Sequence, residues 1–118
     1  MAIGVREPNG GLIVAGGPTT TSQHGLLIAL AYRNRLPAVY PNREFVAAGG
    51  LASYGVDTNE LFRSAASYVD RILKGEKPGD LPVQFATKFQ LVINLKAAMA
   101  LGLDPPIQLL ARTDEVIE

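Results

Sequence analysis

Short apolar runs bounded by glycine and proline, alternating with stretches of helical period, constrain this chain more tightly than any other feature of its sequence. Leu12-Ile13-Val14-Ala15 stands between Gly10-Gly11 and Gly16-Gly17-Pro18, and a continuous apolar run so bounded reads as a strand buried on both faces. Thr19, Thr20, Thr21 and Ser22 open a helical pattern in which Leu26, Leu27, Leu30 and Ala31 share one face, closing near Asn34. Leu36-Pro37-Ala38-Val39-Tyr40 predicts a second buried strand, with Pro37 tolerated at its start. Residues 42–48 predict a short helix ended by Gly49-Gly50, and residues 51–55 a third strand. A longer helix starts at Asp57, whose carboxylate can cap free amides while Glu60 reaches back. Its apolar positions Leu61, Ala65, Val69, Ile72 and Leu73 fall on one side, and Gly75 stops it. Lys77-Pro78-Gly79-Asp80 is a turn. Phe89-Gln90-Leu91-Val92-Ile93 reads as a strand, residues 94–101 as a helix closed by Gly102, and Asp114-Glu115 as part of a solvated polar tail.

Strand and helix thus alternate, which implies an α/β fold of parallel-sheet layers with flanking helices, because parallel neighbours need crossovers that helices supply. At 118 residues the chain is one domain at most. Four strands make a thin sheet, and the chain begins almost directly on a strand that nothing precedes to cover, so the expectation is a part of something larger.

Composition removes several function classes. Eleven basic residues balance 11 acidic ones, so no basic field exists to hold a phosphate backbone, and nucleic-acid binding is not expected. His24 is the single imidazole and cysteine is absent, which leaves neither a zinc ligand set nor a Cys–His pair. No metal, no cofactor and no enzymatic activity are expected. No apolar stretch approaches the length of a membrane helix, and the start of the chain does not read as an export signal.

In open parallel sheets ligands bind beyond the carboxyl ends of the strands, so the residues after each strand are the candidates. After the first strand come Thr19 and Thr20, at a helix start where amides favour a carboxylate or phosphate, although simple capping is the commoner role. Tyr40, Arg43 and Glu44 follow the second strand: an aromatic face and a fork-shaped cation for a solute carboxylate, or equally a surface ion pair of Arg43 with Glu44 or Asp57. Tyr54 and Asp57 follow the third, and either tyrosine can instead be a core residue. The first strand ends on Gly16-Gly17 where a phosphate-accepting receiver domain would want acids, and no complete phosphate loop is present.

From Leu36 onward the sequence resembles a known family. Leu36-Pro37-Ala38-Val39-Tyr40, Arg43-Glu44-Phe45-Val46, Gly49-Gly50-Leu51 and Ser53-Tyr54-Gly55 follow its pattern, as do Tyr68-Val69-Asp70-Arg71-Ile72-Leu73-Lys74-Gly75, Asp80-Leu81-Pro82-Val83 and Val92-Ile93-Asn94-Leu95-Lys96. Glu7-Pro8-Asn9-Gly10-Gly11 fits as well. The family is that of the ABC-transporter substrate-binding proteins, which includes tryptophan and tyrosine binders. Ala86, Ala97, Thr113 and Asp104-Pro105 depart from its usual residues, and none lies at a candidate position.

The resemblance implies a partial periplasmic-binding-protein type I fold, in which two α/β lobes hold a solute and close about a hinge. It matches only the carboxy-terminal portion of such a protein. By analogy, residues 11–50 belong to the second lobe, 57–84 return to the first, and 85–118 supply a crossing strand, a helix and a tail. The implied function is the solute-binding component of an ABC-type importer for a small molecule such as an amino acid, held by Thr19, Thr20, Tyr40, Arg43, Glu44, Tyr54 and Asp57. Its implied partners are the solute and an ABC permease, and its implied location is the periplasm, with the cytoplasm expected instead if the chain is expressed from Met1 without an export signal. A portion cut across two lobes leaves apolar surface and strand edges bare, so a homodimer through exchanged elements is also expected. The alternative is a remnant that self-associates and binds nothing.

Overall fold

The computed structural model describes residues 8–118. The elements run β1 (Leu12–Ile13), α1 (Pro18–Ser22), α2 (His24–Arg33), β2 (Ala38–Tyr40), α3 (Arg43–Ala47), β3 (Ala52–Val56), α4 (Thr58–Leu73), β4 (Phe89–Asn94), α5 (Leu95–Ala100), α6 (Ile107–Leu110) and β5 (Glu115–Ile117). They form one five-stranded sheet in the order β1-β2-β3-β4-β5. Backbone contacts divide the chain into two units, one of residues up to Gly55 together with Gln90–Glu118, the other Val56–Phe89.

Pairing is parallel between β1 and β2, β2 and β3, and β4 and β5. Between β3 and β4 it is antiparallel: the Asn94 amide donates to the Leu51 carbonyl at 2.9 Å, and at the other end the Asp57 amide donates to the Lys88 carbonyl at 3.0 Å. The sheet is therefore mixed and mostly parallel, where strand–helix alternation suggested parallel pairing throughout. The chain leaves β3 into α4 and comes back through residues 82–88, which carry no helix or strand, so β4 starts beside the end of β3 and no crossover is needed.

The sequence expectation of a polar tail is also revised. Residues 115–117 are an edge strand, set in place by Asp114: its Oδ2 accepts from the Leu91 amide at 2.7 Å, while its own amide donates to the Leu91 carbonyl at 2.9 Å. The two charges that suggested solvation are engaged with backbone and with Arg43 instead.

The main unit carries the core. Val14, Ile28, Ala31, Ala38, Tyr40 and Phe45 cluster between α2, α3 and one face of the sheet, with Val46, Val92, Ile93, Ala97 and Ala98 also buried. Phe45 is 1% exposed and stacks on Tyr40 at 5.1 Å between ring centroids. His24 packs edge-on to Phe45, and its Nδ1 donates to the Thr21 carbonyl at 3.0 Å. Among the described residues the other face of β1 and β2 is exposed. Ile13 and Val39 are register partners, and Ile13 is 84% exposed, so these strands are buried on one face rather than both.

Local caps explain where the elements stop. Gly49 takes a left-handed φ of 113° just past α3, as the Gly49-Gly50 pair suggested, and the Gly50 amide returns to the Phe45 carbonyl at 2.8 Å. Asn94 Oδ1 accepts from the Ala97 amide at 2.9 Å and starts α5. The expected single helix over residues 19–34 is two, broken at Gln23. Its hydroxyls do not cap: Thr20 Oγ1 donates back to the carbonyls of Ala15 and Gly17, and Ser22 Oγ to that of Thr19.

The unit Val56–Phe89 consists of α4, a single 3-10 turn at Pro78–Asp80 and irregular chain. Asp57 caps α4 by accepting from the amides of Asn59 and Glu60 at 3.0 and 3.4 Å. The reciprocal half of the capping box is not formed. The Asp57 amide is already satisfied by Lys88, and the Glu60 carboxylate turns to Arg63 at 2.6 Å. Tyr68 donates its hydroxyl proton to the Pro82 carbonyl. No residue from 56 to 89 is buried.

Candidate functional site

In the main unit the ends of β1, β2 and β3 lie side by side because these strands are consecutive in the sheet, and their exits meet at Pro41. A Cβ added at Gly16 would lie 3.5 Å from the Pro41 side chain, and one added at Gly55 would stand 1.9 Å from the Pro41 carbonyl oxygen. Position 55 therefore admits only glycine, because any side chain there would overlap backbone. Gly16 after β1 and Gly55 near the end of β3 thus both approach Pro41, which follows β2, at the carboxyl ends of the strands, the place where α/β sheets hold ligands.

Six of the seven residues singled out from the sequence belong to this unit, and the structure gives them different environments. Thr19 is exposed in the first turn of α1. Thr20 is half-buried, with its hydroxyl spent on two carbonyls. Tyr40 is 2% exposed: of the two readings left open, an aromatic face for a solute or a core residue, the ring takes the second and lies against Phe45, because the third side chain of β2, like the first, points inward. Burial first, and the neighbouring Tyr32 second, push the Tyr40 hydroxyl above the ordinary tyrosine range. The Tyr32 hydroxyl donates to the Gly49 carbonyl at 2.7 Å.

Arg43 is taken by a partner the sequence reading did not name. Its Nε donates to Glu115 Oε2 at 2.6 Å and its Nη2 to Oε1 at 2.7 Å, a bidentate pair joining the start of α3 to β5. The hydrogen bond from Arg43 is the main reason that the Glu115 carboxyl lies below the usual carboxylate range, and the Glu115 hydrogen bond raises Arg43 in turn. Neither Glu44 nor Asp57 pairs with Arg43; Glu44 is exposed beside it. Tyr54, on β3, is 60% exposed and presents an aromatic ring at the strand ends.

Asp57 belongs to the other unit, where it caps α4 and faces Lys88 Nζ at 3.6 Å. That unit holds an open pocket of about 460 Å³, lined by Leu61, Phe85 and Ala86 with Glu60, Ser64 and Lys88 among its polar residues. Nothing in the sequence pattern signalled it.

Asn42 was missed by sequence reasoning. It precedes α3 in the capping position, yet its side chain makes no cap bond, and its Oδ1 is buried with no hydrogen-bond partner among the described residues. A buried acceptor without a donor is uncommon in folded chains. The only sequence signal was an Asn where a helix begins, which ordinarily means a cap. Among the described residues no group of three or more His, Cys, Asp or Glu is placed to hold a metal ion, and no helix is long and apolar enough to cross a membrane.

Comparison with known proteins gives this surface a context. The chain is similar to a tyrosine-binding protein of Clostridioides difficile strain R20291, 27% identical over 96 residues that make up 81% of this chain and 26% of the relative. A conserved domain protein from Vibrio cholerae O1 biovar El Tor has the same fold, with a TM-score of 0.87 and 32% identity over 98% of this chain and 38% of its own. An ABC domain from Streptococcus pneumoniae, solved in complex with L-Trp, matches with a TM-score of 0.82 and 29% identity over 91% of this chain and 37% of its own. The chain thus spans roughly a quarter to two fifths of the length of these relatives. The model of the family described as ABC transporter substrate binding protein matches residues 5–117, nearly the whole sequence, and the chain belongs to that family.

Proposed function

We propose that this chain supplies one wall of the solute site of an ABC-type importer, binding a small amino acid with an aromatic side chain without chemical change and passing it to a membrane permease from outside the cytoplasm. The observation that carries this reading is the close approach of Gly16, after β1, and Gly55, in β3, to Pro41 after β2, with Tyr54 exposed on β3. The relatives' binding of tyrosine and L-Trp supports the solute class. Tyr54 gives flat apolar contact to the solute ring, a pairing worth about 0.5–1.5 kcal/mol beyond its buried area. Thr19 with the adjoining loop backbone gives polar contacts. Arg43, its charge balanced by Glu115, shapes the loop, while Glu44 stands at the rim. Tyr40 and Thr20 position the loops from below, and Asp57 acts through α4.

Titration calorimetry of the purified chain with L-tryptophan and L-tyrosine tests this. Saturable heat that falls about tenfold in apparent affinity with Tyr54→Ala, at unchanged circular dichroism, is expected from the loss of one aromatic contact. Absence of heat with either amino acid from a folded chain would reject binding by this chain and favour the reading of a self-associating remnant.

A further inference from the structure

The start of α3 lacks the fastenings that a helix start ordinarily has. Asn42 stands in the capping position, and its side chain makes no cap bond. The next residue, Arg43, puts a cation where the helix dipole favours an anion. The helix is five residues long, too short to hold its own first turn, and its buried side chains, Phe45 and Val46, come later in it. What reaches Arg43 is Glu115, through hydrogen bonds of 2.6 and 2.7 Å. Among the described residues of the main unit this is the one ion pair, since the others all lie in Val56–Phe89. Glu115 itself is well anchored. It is the register partner of the fully buried Val92, and it follows Asp114, whose two bonds to Leu91 seat β5 on β4. The constraint therefore runs from β5 to α3.

We infer that Glu115 is a positioning residue for the solute site: by holding Arg43 at two points it fixes the start of α3 and the Pro41–Arg43 turn, and so sets the affinity for the amino acid. The inference rests on the proposed function and deepens it, adding a residue that stands at the start of a strand rather than beyond its end. The two-point hold suits this role. A single contact would let the guanidinium swing about it, whereas two parallel bonds fix its plane and, through the stem, the backbone at the first residue of α3. The Arg43 side chain is 46% exposed and that of Glu115 33%, so the pair adds little to overall stability and what it supplies is geometry. Once released, the turn that Gly16 and Gly55 approach samples other arrangements. The apparent affinity then falls in proportion to the fraction of chains that keep the binding-competent one.

Titration calorimetry with L-tryptophan and L-tyrosine, and residue-resolved hydrogen exchange, are to be run on the parent chain, Glu115→Gln, Arg43→Lys and the double variant. Glu115→Gln leaves one acceptor oxygen in place of two and should lose about fivefold or more in affinity, with the circular dichroism of the parent. Arg43→Lys keeps the charge without the fork and should lose about as much. The double variant should lose no more than either single change, because Glu115 acts through Arg43 alone. The Ala48 amide, which donates to the Glu44 carbonyl at 3.0 Å, should exchange about fivefold faster in Glu115→Gln, and the Asp114 amide at an unchanged rate because β5 stays seated. Glu76→Gln, which breaks the comparably exposed pair with Arg71 in the other unit, should leave affinity as it was. Affinity of Glu115→Gln within about twofold of the parent, or losses that multiply in the double variant, would overturn the inference. So would faster exchange at Asp114, which would assign the loss to an unseated β5. If the folded parent binds neither amino acid, the solute reading is removed and Ala48 decides the tether alone: faster exchange in Glu115→Gln upholds it, and an unchanged rate overturns it.

Discussion

The two units of this chain are built by different forces. In the main unit Phe45, Val46, Val92 and Ala98 are shut off from solvent and the strand-end loops rest on a packed core. In Val56–Phe89 no residue is buried, and the contacts that join α4 to the irregular segment include the polar ones of Tyr68 to Pro82 and Asp57 to Lys88. The first unit has an enclosed interior that close packing can stabilise; the second has an apolar stripe facing outward and relies on surface contacts that contribute little. The lesson is that a strongly patterned helix states the need for a partner layer, not its presence.

Substitutions should separate the two regions. Phe45→Ala opens a cavity in the packed unit and is expected to cost about 3–5 kcal/mol, whereas Phe62→Ala on the exposed helix should stay within about 0.5 kcal/mol; urea denaturation followed by circular dichroism compares them. Gly55→Ala drives a methyl group into the Pro41 carbonyl and should cost about 1–3 kcal/mol or more, read as a fall in thermal midpoint. Equal stability would mean that the strand ends do not meet at Pro41. Asp57→Ala removes the α4 cap at about 1 kcal/mol, and hydrogen exchange should register it in residues 58–73 while β2 and β4 remain unchanged.

The smallest effect is the pH-dependent one. Glu115 has its carboxyl pKa lowered in the folded chain by Arg43, so its contribution is present above the unfolded carboxylate range and is lost as pH falls through the lowered value. The pair is largely exposed, which limits it to about 0–1 kcal/mol. Glu115→Gln should therefore be slightly less stable than the parent chain near pH 7 and become indistinguishable from it once the pH has fallen below the lowered carboxyl range, measured by urea midpoints. A difference that persists in acid would assign the loss to packing.

Much of the fold could be read in advance, because periodicity and punctuation are local. The strand at Ala38–Tyr40, the helix from Thr58 and the glycine stop after α3 follow from neighbouring residues alone. What could not be read depends on contacts distant in sequence. Asp114 and Glu115 look like a solvated tail until Leu91 and Arg43 are brought to them from 23 and 72 residues away. Whether Tyr40 faced a solute or the core was left open because a strand's end does not reveal which face its last side chain takes, and the antiparallel return of β4 is set by the path of residues 82–88, which has no periodic signal. At the candidate surface, Arg43 was placed correctly at a strand exit but its occupancy by Glu115 was hidden, and the orphaned Asn42 Oδ1 is visible only in three dimensions.

Residue-resolved hydrogen exchange of the chain alone tests the contrast between the two units most directly. Amides of β2 and β4 should exchange only through global unfolding, while those in the middle of α4 should open locally and exchange about a hundredfold faster or more. Protection in α4 equal to that in β4 would contradict the account, because it would mean that the apolar row of Leu61, Ala65, Val69 and Ile72 is already covered in the isolated chain.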